Sequence, residues 1–116
     1  MEDMYENPSN RYNKLFDQYG YGEHDIGENT LIEIEEGVIY FWKTHTHDSG
    51  LTEYNQHRFD GPAVIWNDGV GDMWYINGFD VDNKIYKWAK AQNIDLNDLS
   101  DEDKVLIKLA WADYNG

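Results

Sequence analysis

Apolar residues are spaced differently in three parts of the chain, and each spacing predicts a different kind of element. Tyr12, Leu15, Phe16 and Tyr19 fall at i, i+3, i+4 and i+7, one face of a helix of about three turns. Ser9, following Pro8, is a candidate N-cap, and Gly20 a left-handed stop. Residues 21–27 show no period and read as a loop. From Thr30 the period becomes two. Ile32 and Ile34 alternate with Glu33 and Glu35, Glu36-Gly37 makes a turn, and 38–45 is a return strand rich in β-branched and aromatic residues. Residues 46–55 are polar and read as loop, with a turn at Asp48-Ser49-Gly50. Strands follow at 63–66 and 73–76, with turns at Asn67-Asp68-Gly69 and Asn77-Gly78, and 79–81 offers a short further strand.

The last third returns to helical spacing. Asp82 is a candidate cap for a helix over 83–92, with Ile85, Trp88 and Ala89 inward, Lys84, Lys87 and Lys90 outward, and Asn93 as its stop. Alternate apolar residues in 94–99 predict a packed linker. Ser100 caps a final helix whose first turn holds Asp101, Glu102 and Asp103. Val105, Leu106, Leu109 and Ala112 are its predicted inner face, with Trp111 and Tyr114 on a neighbouring one.

Together these elements predict an α+β fold: a small antiparallel sheet of two stacked hairpins, one N-terminal helix and two C-terminal helices. The expected organisation is a single domain over 1–116, with helix and loop at 1–27, hairpins at 28–81 and a helical part at 82–116. The two hairpins repeat. Residues 34–42 align with 66–74 at a constant offset of 32, bringing together a turn acid, Gly37 with Gly69, Val38 with Val70, and Trp42 with Trp74. Stacked hairpins bury a face that neither buries alone, so Trp42 and Trp74 are expected at matching buried positions.

His57-Arg58-Phe59-Asp60-Gly61-Pro62-Ala63, followed by Trp66, Asp68-Gly69 and Trp74-Tyr75-Ile76-Asn77-Gly78, resembles MORN-like hairpin repeat variants of small tailed-bacteriophage proteins. The likeness covers 57–78, with 31–45 as a decayed copy. It implies a fold unit and a viral origin, and brings no catalytic residues. Gly61, Gly69 and Gly78 are expected to serve turns, Pro62 to begin a strand, Trp66, Trp74 and Tyr75 to supply core, and Arg58 and Asp60 either to pair or to bond turn amides.

Charge narrows the function. The 116 residues carry 23 acids and 9 bases, a net charge of −14, with no cysteine. Such a chain repels phosphates, so direct nucleic-acid or anionic-membrane binding is not expected. The excess is even: residues 1–58 hold 12 acids and 4 bases, residues 59–116 hold 11 and 5. Absence of cysteine fits a reducing compartment, the start Met1-Glu2-Asp3-Met4 is unlike a basic-then-apolar signal peptide, and the expected location is cytoplasmic, that of a host cell if the protein is viral.

Candidate chemistry is sparse. No serine elbow or phosphate loop occurs, and the sequence predicts neither an enzyme nor a cofactor. His45 and His47 would share a strand face, with His57 or Glu53 as a third metal ligand. Two histidines alone make a weak site, and exposed side chains are the simpler reading. Two acidic groups are stronger candidates for contact with a basic protein: Glu33, Glu35 and Glu36, and Asp95, Asp98, Asp101, Glu102 and Asp103. A solvated strand face for 33–36 and helix-dipole complementation for 101–103 are the simpler readings of these groups. The favoured expectation is a phage-type accessory protein that binds and inhibits a basic, nucleic-acid-handling host protein by polyanion mimicry. Its rivals are an assembly component acting by self-association and a metal-dependent enzyme at the histidines.

An excess of 14 negative charges also makes the folded state repel itself. Urea unfolding at about 10 mM and 150 mM salt should show the higher stability at higher salt, as screening shortens the reach of the repulsion. Equal stability at both would mean that the acids are locally paired.

Overall fold

The computed structural model describes residues 9–116; Pro8 and the side chain of Ser9, on which the expected cap depends, lie outside what is described. The chain forms α1 (Ser9–Tyr19), seven strands and two further helices. The strands are β1 (Gly22–Gly27), β2 (Thr30–Glu35), β3 (Val38–Thr46), β4 (Thr52–Gln56), β5 (Val64–Trp66), β6 (Tyr75–Ile76) and β7 (Phe79–Asp80), and the helices α2 (Asp82–Ala91) and α3 (Asp101–Trp111). This is the predicted α+β class. No helix among the described residues is long and apolar enough to cross a membrane.

Two stretches expected as loop are strands. Residues 22–27 pair antiparallel with β2, through a tight turn in which Glu28 and Asn29 both adopt positive φ, 54° and 61°. The strand was invisible to periodicity because five of its six residues are exposed. Thr52–Gln56 pairs with the far half of β3, and it too is largely exposed. Both strands are held by backbone bonds rather than by burial of an alternate set of side chains.

β3 organises the sheet. One edge pairs with β2, from Glu35↔Val38 to Thr30↔Lys43. The other edge is shared: Val38, Ile39 and Tyr40 pair with β5, and Trp42 to Thr46 with β4. Between them the Phe41 N–H reaches Ala63 O (2.8 Å), and Phe41 O accepts from His57 N–H (3.1 Å). The segment 57–63 must therefore leave β3 and return to it.

Arg58 holds that detour in shape. Its Nε donates to Asp60 Oδ1 (2.7 Å), its Nη1 to Pro62 O (3.1 Å), and its guanidinium lies 4.1 Å from the centre of the Phe41 ring. Gly61 makes room for the guanidinium and is not at a left-handed φ: a Cβ would lie 2.6 Å from Arg58 Nη1, so a larger residue would have to displace the Arg58 head group. Gly78 is a true turn glycine, at φ 87° after Asn77 at 53°.

The face of the sheet carrying Ile32, Ile34, Ile39, Phe41, Ala63 and Ile65 is covered by Tyr12, Leu15, Phe16 and Tyr19 of α1, as predicted. Gly20 ends the helix at φ 77°. The Tyr12 hydroxyl donates to Glu35 O (2.6 Å) and accepts from Gly37 N–H (3.2 Å), so one phenol fixes the β2–β3 turn.

A second core gathers Trp74, Ile76, Val81, Ile85, Ala89, Ile94, Leu96, Ile107 and Trp111. Asp82 is not the cap of α2. The helix begins at Asp82 behind Val81 with no side-chain cap, and the Asp82 carboxylate instead accepts from Trp74 N–H (2.6 Å). Ser100 does cap α3, in a reciprocal box with Asp103. The inner face of α3 differs from expectation. Ile107 and Trp111 are buried and Tyr114 packs beside them, whereas Val105, Leu106 and Leu109 stand 57%, 48% and 75% exposed and Ala112 is exposed. The helix has apolar residues on two sides, and the Trp88–Trp111 contact, ring centres 6.0 Å apart and perpendicular, belongs to the side that docks.

The repeat survives at one matching pairing but not in burial. Ile32↔Phe41 in the first hairpin and the Val64↔Met73 bridge in the second differ by the same 32 residues on each strand. Yet Trp74 is 1% exposed, whereas Trp42 is half-buried with its indole N–H on Glu33 Oε1 (3.0 Å). Trp74→Ala should therefore cost about 3–5 kcal/mol. Trp42→Ala should cost only about 1–2 kcal/mol, the loss of one hydrogen bond and a partly buried ring. Urea unfolding of the two variants checks this; equal losses would mean equivalent environments after all.

Candidate functional site

Strand alternation places the first acidic group. Register pairs Glu23 with Glu33 and Asp25 with Leu31, then Glu33 with Tyr40 and Leu31 with Trp42, then Val38 with Trp66. Paired residues share a face, so Glu23, Asp25, Glu33 and Glu35 stand with Tyr40, Trp42 and Trp66 on the side opposite α1. None of the three aromatic residues belongs to either core, and all are partly exposed. The Tyr40 and Trp42 rings lie 5.7 Å apart.

This face is electrostatically strained. A side-chain hydrogen bond with Glu33, the charge of Glu33 and partial loss of water all raise the Glu35 carboxyl above its ordinary pKa. Among the described residues no lysine or arginine forms an ion pair with Glu23, Asp25, Glu33 or Glu35. Glu36 sits exposed at the turn beyond the strand. Sequence spacing does not reveal Glu23 and Asp25 as members of this group, because their exposed strand has no alternation.

The second acidic group is partly occupied by the fold. Asp95 Oδ1 accepts from Asn97 N–H (2.9 Å), and Asp103 Oδ2 from Ser100 N–H (3.1 Å). Asp101 and Glu102 lie exposed in the first turn of α3, at its positive dipole end. Asp98 is exposed in the linker. Among the described residues, Asp98, Asp101 and Glu102 are the members whose carboxylates no backbone amide engages, and of these Asp98 and Glu102 are set apart from the capping box at Ser100 and Asp103.

The three histidines do not converge. The His45 and His47 rings meet edge to face with centres 4.6 Å apart, and His47 Nε2 contacts Glu53 Oε1. His57 is 6% exposed in the detour, edge to face with Phe59 (ring centres 4.4 Å apart), with Nδ1 accepting from Asn77 N–H (2.9 Å). Among the described residues there is no group of three or more His, Cys, Asp or Glu able to hold a metal ion. His57 as third ligand is corrected: its ring nitrogen closes a backbone turn.

No family model, curated protein or solved structure matches the chain.

Burial, and secondarily the charge of Lys43, lowers the His57 pKa from 6.5 to about 4. The unfolded chain takes up a proton near pH 6.5 while the folded chain resists until about 4, so the contribution is complete above 6.5 and is lost as pH falls through this window. The loss approaches about 3 kcal/mol, from 1.36 kcal/mol per unit. The His57 ring resonances in proton NMR should titrate near pH 4. Titration near 6.5 would mean that the ring is solvated.

Proposed function

We propose that the protein is a small acidic accessory protein of bacteriophage type that binds a basic protein in the host cytoplasm and inhibits it by occupying a surface that otherwise holds nucleic acid. The observation that carries this reading is the open face of the sheet, where four carboxylates flank Tyr40, Trp42 and Trp66 with no ion-pairing lysine or arginine among the described residues. Carboxylates take arginine or lysine head groups, and exposed aromatic rings take the same cations on their faces. The crowding that raises Glu35 is relieved when a cation inserts beside Glu33. The net charge of −14 would steer a basic partner toward the protein from a distance. Asp98 and Glu102 offer a second, smaller contact.

One observation favours self-association instead: Val105, Leu106 and Leu109 leave an apolar strip open on α3. Sedimentation velocity at low and high concentration separates the two readings. A sedimentation coefficient independent of concentration supports the heterotypic one.

Copurification from host lysate, identified by mass spectrometry, supplies the partner for the decisive measurement. Glu33→Gln with Glu35→Gln should slow association about tenfold or more at low salt while leaving thermal stability unchanged or raised, and Asp98→Asn with Glu102→Gln should act less strongly. Wild-type association should slow steeply with salt, and the partner's own nucleic acid should compete. Simultaneous binding of nucleic acid and this protein to the partner would refute mimicry.

A further inference from the structure

A cleft of about 630 Å³ opens on the other side of the sheet, bounded by α1, the β1–β2 turn, the 57–60 segment and α3. Its size lies within the roughly 300–1,000 Å³ typical of small-ligand sites. Leu15, Tyr19, Ile26, Phe41, Phe59 and Val105 give it an apolar lining. Around them stand Lys43, Arg58, Lys104 and Lys108, four of the nine cations in a chain of net charge −14. The concentration is local. Acids elsewhere on the surface are screened beyond a Debye length of about 8–10 Å, so a ligand inside the cleft responds to these neighbours first.

The three lysines, unlike Arg58, are not consumed by ion pairs among the described residues. Two carboxylates, Glu28 and Asp60, also line the cleft, and Asp60 is held by Arg58 Nε at 2.7 Å. Lys43 Nζ donates to the neutral amide oxygen of Asn77 (3.2 Å) and keeps its charge. Lys104 and Lys108 lie one turn apart on α3, and among the described residues neither forms an ion pair. His57 adds a directional donor. Its Nδ1 accepts the Asn77 N–H, so the neutral ring carries its proton on Nε2, and no acceptor among the described residues uses it.

We propose that this cleft binds a small amphipathic anion: an aromatic or branched apolar body bearing a phosphate or carboxylate, its body against Phe41, Phe59 and Ile26 and its charge among Lys43, Lys104 and Lys108. Lysines bind such groups as mobile point charges, which suits an open rim. Arg58, already committed to Asp60 and Pro62, positions the 57–60 wall. The site is independent of the acidic sheet face and of any protein partner.

Amide chemical shifts of the full chain, followed during titration, test it. Phenyl phosphate and benzoate are the probes, with inorganic phosphate and phenol as the two halves of the ligand. At least one probe should give saturable shifts at Ile26, Glu28, Lys43, Phe59 and Val105, and each half should bind at least tenfold more weakly. The tighter probe tells a phosphate ligand from a carboxylate one. Lys104→Glu with Lys108→Glu should weaken binding tenfold or more with an unchanged thermal midpoint, whereas Lys84→Glu with Lys87→Glu on α2 should not. Absence of saturable shifts with both probes, halves that bind as well as the whole, or wild-type affinity in the Lys104/Lys108 variant would each overturn the proposal.

Discussion

Nine residues of β3 must satisfy three neighbouring strands. β2 takes one edge along its length, and β4 and β5 divide the other. A shared edge can be continuous only if the chain leaves it after β4 and returns in line before β5. The 57–63 detour does this, and its bonds are directed at that problem. Arg58 ties Asp60 and Pro62 together over the Phe41 ring, Gly61 gives the guanidinium room, and His57 passes the path to the Asn77 turn. A wrong detour would unseat β5, and with it the Ala63 and Ile65 side chains on which α1 rests.

The detour also couples the two cores. Phe59, between β4 and β5, packs on the C-terminal core, while Tyr75 of β6 packs on the core under α1. Asp82 strengthens the link by accepting the Trp74 N–H from the first turn of α2. Neither hairpin is a free-standing unit, in keeping with the marginal stability of an isolated two-stranded hairpin in water.

Alternation along β3 sorts the surface chemistry. Phe41 and Lys43 point to the α1 side, where cations gather around an apolar cleft. Tyr40 and Trp42 point to the opposite side, where the carboxylates of β1 and β2 stand in register beside them. The even distribution of acids along the sequence therefore hides an uneven one in space. The same separation explains how repeat positions diverged: Trp42 faces the open side and bonds Glu33, while Trp74, 32 residues on, is enclosed by α2 and α3.

Local physics was legible in the residues alone. Period-3.6 and period-2 spacing identified α1, β2, β3, β5 and the helices α2 and α3, because each of these buries one set of side chains, and the Ser100 box and Asn77-Gly78 turn follow from the bonds and dihedrals those residues favour. Arg58 and Asp60 were legible as partners of each other or of turn amides, and the fold chose the pair. Tertiary structure decided the rest. β1 and β4 are exposed strands held by edge bonds, and an exposed strand leaves no alternation to read. α3 carries apolar residues on two sides, and only the docking of Trp111 against Trp88 chose between them. His57 left the histidine group because its backbone follows the detour, and Lys43, Arg58, Lys104 and Lys108, up to 65 residues apart, meet only through folding. Sequence spacing reports which neighbours a residue has along its own element; which surfaces meet depends on how the elements pack.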